Sequence, residues 1–355
     1  MRDLEWLDPL PELAPDPELE QYWMRTNGVA APHTRYFGPC PWILHADAEL
    51  DIGFIHINDI ADQIYLVISR DNSCRFCYGA SRALMRMAGT SEKRIRALEE
   101  DVDLARLDPK TRLAFEYARR VSRANPAPDA TERKKLLEAG YPENAIKELA
   151  FFASDVGFHN RFSTLLALPP RRLERLGRAP WVYLGRLFTR KLLARVQTPG
   201  RLTPLPDSAR TGPYSEVVVG LEGLPHAPVL SKVLDEAWAS PHLKPRSKAL
   251  IFAVIARGLG SLPAEREAWR LLAEQGVEPA QAEKILAHLG SPDLDPVEAQ
   301  ILPYVRETIR YQPAAIQRRG RELRKHISNA QLLDTVGLAA LANMVCRLAT
   351  QLETA

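Results

Sequence analysis

Two stretches of the chain, offset by 187 residues, match each other without a gap over about sixty positions, and this self-similarity constrains the fold more than any single motif. Gly89 meets Gly276, Leu107-Asp108-Pro109 meets Leu294-Asp295-Pro296, Tyr117 meets Tyr304 and Arg119 meets Arg306; after a one-residue deletion, Arg161 meets Arg347. Glycine and Asp-Pro set helix ends, so the matched positions fix helix boundaries and packing points. Apolar residues recur at three- and four-residue intervals throughout, whereas alternating runs are scarce. The expected fold class is therefore all-α, a tandem duplication of one helical bundle, with Ser215 to Val219 the only strand-like run.

Four segments follow from this reading. Residues 1–49, rich in Pro, Gly and aromatics and including Pro39-Cys40-Pro41-Trp42, read as an irregular arm over the core. Residues 50–168 form the first copy, 169–240 a basic helical linker, and 241–355 the second copy. Within the first copy, helices are expected from about Ile57 to Arg70, after Ser73, and near 92–100, 109–124 (capped by Asp108, with Pro109 first), 131–139 and 143–167. Residues 171–201 carry nine Arg or Lys against Glu174 alone, interleaved with aromatics. Such a helix can lie on an anionic membrane or bind nucleic acid, but an inter-repeat helix with its arginines in water explains it as well and is preferred.

At 355 residues, 46% apolar and 26% charged, the chain can bury a large core, and a net charge of +3 is too small to imply nucleic acid. No apolar run reaches the roughly 18 to 20 residues that a membrane span needs, and the start, Met1-Arg2-Asp3-Leu4-Glu5, is acidic and unlike a signal peptide. These features lead to the expectation of a cytoplasmic protein. Four cysteines in such a chain fall far short of a disulfide framework.

Two of the four make a C-x-x-C, Cys74-Arg75-Phe76-Cys77, with Asn72 or Ser73 placed to cap the following helix. Thiols in the first turn of a helix meet free N–H groups and the positive dipole end, which favour a thiolate, and they are close enough for a disulfide. Redox chemistry is the leading reading. Zinc would need two further donors, for which Cys40 and His45 are the candidates, and inert packing is the third possibility. Carried along the repeat, Cys74 falls on Ser261, Cys77 on Ala264, Asp62 on Ala249 and Ser81 on Ala268, so the second copy lacks both thiols and reads as scaffold. Cys40 and Cys346 read as buried small residues, and Tyr78 as packing.

The first copy resembles the alkylhydroperoxidase D-like group of the carboxymuconolactone decarboxylase-like superfamily. The family places a Glu twelve residues before the C-x-x-C and a His four residues after it; here those positions hold Asp62 and Ser81. The run Asp62 to Ser69 and Phe158-His159-Asn160-Arg161 also look like the family. The resemblance implies an all-helical homo-oligomer with thiol-dependent peroxidase or disulfide-reductase activity, no cofactor beyond the redox-active disulfide, and a thioredoxin-like or lipoyl-domain reductant. It also implies peroxide attack by Cys77, resolution by Cys74 and a proton relay through Asp62 and position 81. Ser81 cannot act as a base near neutral pH, so either the helix terminus with Arg75 or Arg82 activates the thiolate, or another group, for which His159 is the candidate, supplies the base. The competing functions are a protein disulfide reductase and a non-catalytic helical interaction protein.

Overall fold

The structure, a computed structural model, describes residues 16–27, 31–50, 53–100, 105–169 and 200–353. These contain sixteen α-helices and no strand among the described residues. Most of the basic stretch, positions 171–199, lies outside them.

The N-terminal segment is helical where the sequence reads as irregular. It contains α1 (Pro17–Asn27), a 3-10 turn (Pro32–Tyr36) and α2 (Pro41–Glu49). The prolines start helices here rather than break them, because Pro17 and Pro41 stand at first helical positions, where a missing N–H costs nothing. Trp42 Nε1 donates to Asp334 Oδ1 at 2.9 Å and the Cys40 thiol to the Ala330 carbonyl at 3.4 Å, so this segment is fastened to the far end of the chain.

The first half then runs α3 (Ala61–Asp71), α4 (Arg75–Ala88), α5 (Glu92–Glu100), α6 (Pro109–Arg123), α7 (Ala130–Glu138) and α8 (Glu143–Leu165). The short α9 (Ser215–Gly220) and then α10 (His226–Ala239) follow. The Val217-Val218-Val219 run expected to be extended is thus helical, its first two valines buried: tertiary burial overrides β propensity in so short a segment. The second half runs α11 (Pro245–Leu259), α12 (Leu262–Glu274), α13 (Pro279–His288), α14 (Pro296–Glu307), α15 (Pro313–Leu323) and α16 (Asn329–Glu353).

The two halves share their helix order and several backbone details. Gly89 and Gly276 adopt positive φ of 96° and 72° at the ends of α4 and α12. Their amides bond back to Arg86 and Ala273, and those of Thr90 and Val277 to Met85 and Leu272. The turn before the C-x-x-C recurs too: Cys74 N–H bonds to Ser69 O and Ser261 N–H to Ala256 O, both at 2.9 Å. Asp108 caps α6 through Thr111 N–H at 3.0 Å, and Asp295 caps α14 through Glu298 N–H at 2.8 Å.

The centre of the molecule is the contact between α8 and α16, the most extensive helix pairing present. Every residue from Glu148 to Leu165 and from Leu332 to Ala349 is buried. Each large apolar side chain so enclosed contributes about 1.5–3 kcal/mol. α16 is long and apolar enough to cross a membrane, but that window lies wholly inside the protein. This corrects the expectation that no apolar run is long enough: Asp334, Asn343 and Arg347 interrupt the run without lowering its mean hydropathy far enough.

Two arginines bind the halves together. Arg161 of α8 donates from Nε to Thr308 O and from Nη2 to Ile309 O, both at 3.1 Å, at the end of α14. Arg347 of α16 donates from Nε to Ser122 O at 3.0 Å, at the end of α6. Each half thus offers a cation to the negative end of a helix in the other.

Candidate active site

The α3–α4 turn is held from two sides. Asn72 Nδ2 donates to Ser122 Oγ of α6 at 3.1 Å and to Asn160 Oδ1 of α8 at 3.0 Å, and Asn160 Nδ2 donates to Ser69 Oγ at 3.1 Å. Ser73 takes a left-handed conformation, φ 54°, which turns the chain sharply into α4. The cap of α4 is then Cys74 itself, one residue beyond the expected Asn72 or Ser73: its Sγ accepts the Cys77 N–H at 3.3 Å. A sulfur occupies the place usually taken by a capping oxygen, where it meets the unsatisfied amides of the first turn.

Both thiols are free and buried, Cys74 at 0% and Cys77 at 2% exposure. They converge on one hydroxyl, Ser163 Oγ of α8, at 3.3 and 3.4 Å. That hydroxyl donates to His159 O at 2.5 Å, so its single proton must swing from this carbonyl to a sulfur when a thiolate forms. Burial alone would raise the Cys74 pKa; the Cys77 thiol, Ser163, the Cys77 amide and Thr164 outweigh it and lower Cys74 to about 7. Cys77 moves the other way. Burial, then the hydrogen bond to and charge of Cys74, push it well above the ordinary thiol value against smaller pulls from Ser163 and His159.

His159, one turn before Ser163, is buried between two carboxylates. Its Nδ1 bonds to Asp155 O at 3.0 Å and lies 3.3 Å from Asp155 Oδ1; its Nε2 lies 3.3 Å from Asp47 Oδ1. Asp47 Oδ2 also meets His33 Nε2 at 2.9 Å. Burial opposes the charged imidazole, but Asp155 and Asp47 prevail and raise its pKa well above 6.5. A raised pKa makes His159 a weaker proton acceptor near neutral pH, and its positive charge acts to lower the Cys77 pKa.

Ser81 is buried one turn after Cys77 on α4. Asp62 is exposed on the first turn of α3, and the buried Ser81 hydroxyl donates to its backbone carbonyl at 3.5 Å; neither is among the main groups acting on the thiols. Arg82 is engaged by Glu92 and by Glu99, at 2.6 Å from the latter, and Tyr78 Oη donates to Glu99 at 2.7 Å. Cys40 bonds Ala330, and His45 Nδ1 bonds Glu236 at 2.8 Å, each away from the thiol pair.

Three contributors were missed from sequence. Ser163 was accessible to reasoning, since it follows His159 by four residues and shares its helix face. Asp47 comes from the segment read as irregular. Tyr311 comes from the second half; both thiols act on its hydroxyl, which burial chiefly pushes to about 12. Neither had a local signal. No protein-family model, curated protein or solved structure matches this chain.

Proposed function

We propose that the chain is a thiol oxidoreductase of the alkylhydroperoxidase D-like type, built from two copies of one helical unit of which only the first carries chemistry. The observation that carries this reading is the convergence of two free thiols on Ser163 Oγ, with Cys74 at the helix cap lowered to about 7. The roles are the reverse of those the resemblance implies. The Cys74 thiolate attacks the O–O bond of a hydroperoxide, forming Cys74 sulfenic acid and releasing an alkoxide that is protonated to the alcohol. Cys77 then attacks the sulfenic sulfur, its thiol proton leaves with the hydroxyl as water, and a Cys74–Cys77 disulfide results. The hydroperoxide is reduced by two electrons drawn from the two thiols, and an external dithiol, of lipoyl or thioredoxin type, restores them by exchange.

Burial favours a peroxide over a protein disulfide, since a small oxidant reaches a sulfur at 0% exposure with less rearrangement than a folded partner does. One equivalent of hydroperoxide followed by dimedone tests the roles: in Cys77→Ser the label is expected on Cys74, and Cys74→Ser should stay unlabelled. Labelling of Cys77 in the Cys74→Ser protein at the same rate would reverse the assignment.

A further inference from the structure

Between the two halves lies a cleft of about 390 Å³ whose charge the redox chemistry does not use. Four guanidiniums line it, Arg123, Arg161, Arg310 and Arg347, against one carboxylate, Asp71. Asp71 is already engaged by Arg119 at 2.7 and 3.1 Å and by Arg123 at 3.0 Å. The two inner cations, Arg161 and Arg347, are each 3% exposed and have no ion pair among the described residues.

Their role as braces between the halves leaves donors over. Each guanidinium has five N–H groups. Arg161 spends three, on Thr308 O, Ile309 O and Gly157 O; Arg347 spends four, on Ser122 O, Ile309 O and twice on Asn343, and Arg310 gives one to Ala124 O. The carbonyls supply partial charges only, and buried cations without a full counter-charge are costly. Burial first, then repulsion from Arg161 and Arg310, drives the Arg347 pKa well below its usual value, a pressure that an anion in the cleft would relieve.

The cleft is lined by neighbours of the thiols. Its lining includes Ser73, the residue before Cys74, and Tyr311, whose hydroxyl both thiols influence. We propose that this cleft binds an oxyanion, a carboxylate or phosphate, carried by the hydroperoxide substrate, and so directs acidic hydroperoxides to Cys74. The assignment of substrate class rests on the dithiol reading; the anion site itself does not. Arginine suits an oxyanion because its paired N–H groups match two oxygens at once.

The test uses the reduced full chain and inorganic phosphate, titrated calorimetrically at fixed ionic strength with chloride as the balancing salt. One saturable site is expected, weakened by at least about ten-fold in the rim double variant Arg123→Gln/Arg310→Gln and retained in Cys74→Ser. Absence of saturable binding, or equal affinity in the double variant, overturns the anion site. A second arm compares a hydroperoxy fatty acid with its methyl ester. The free acid is expected to react with a kcat/KM about ten-fold higher in the wild type, and near parity in the double variant. Equal values in the wild type overturn the substrate assignment. Phosphate binding as expected, with no Cys74-dependent turnover of either peroxide, upholds the anion site and rejects the dithiol reading.

Discussion

Removing the hydroxyl shared by the two sulfurs should change how the first thiol ionises without changing how it is reached. A hydrogen bond to a charged group is worth about 1.5–3 kcal/mol and one pKa unit about 1.36 kcal/mol, so Ser163→Ala should raise the Cys74 midpoint by roughly one to two units above about 7. Near neutral pH the thiolate fraction then falls from about one half to between about 1% and 10%. The less acidic thiolate is intrinsically more nucleophilic, with a Brønsted slope of about 0.4–0.5, so alkylation should slow by only roughly two- to six-fold near neutral pH. Well above the variant's midpoint the order inverts, and the variant should react roughly three- to eight-fold faster. The assay is iodoacetamide labelling against pH, with Cys74 resolved from the other cysteines by peptide mass spectrometry. Crossing profiles are expected. A ratio of variant to wild-type rates that is constant at every pH would refute the reasoning, because it would mean that Ser163 governs opening of the buried site and leaves ionisation alone.

The remaining expectations concern groups around the pair. His159→Asn leaves the Asp47 and Asp155 carboxylates buried without their shared cation and should cost about 3–5 kcal/mol in urea unfolding. The sign with pH follows from its raised pKa: the His159 contribution is fully present below about pH 6.5 and is lost as pH rises through the folded-state value, so the gap from wild type should narrow in alkali. An undiminished gap in alkali would contradict a protonated His159. Gly337→Ala would set a Cβ 2.7 Å from the Ile43 and Trp42 side chains and should destabilise by about 1–3 kcal/mol, read as a lower Tm; an unchanged Tm would mean α2 does not pack against α16 as described. Asp62→Asn and Ser81→Ala should each move the Cys74 midpoint by well under about one unit, and a larger shift would restore the proton relay that the resemblance implies.

Much of the helical frame was legible because its signals are local. Asp108-Pro109 and Asp295-Pro296 announce helix starts through side-chain capping and the fixed proline φ, and Gly89 and Gly276 announce ends through a left-handed conformation. The same locality explains the errors. Pro41 looked like a breaker until its place at the head of α2 was known, and Val217 to Val219 looked extended until their burial was known. The thiol pair was visible as a spacing, but its electrostatics were not. Which sulfur caps α4 depends on a left-handed Ser73, a matter of one residue in a turn, and the cap hydrogen bond is one of the groups that lower the Cys74 pKa. Asp47, Tyr311 and Arg347 reach the site region from parts of the chain distant in sequence, through contacts that no periodicity records.

The central claim is that two sealed thiols exchange electrons with a peroxide. Mass spectrometry of the reduced protein after one equivalent of hydroperoxide tests it directly. The expected result is loss of two hydrogens, mapped to a Cys74–Cys77 disulfide and reversed by a dithiol. Unchanged thiols at both positions, with the peroxide still intact, would contradict it.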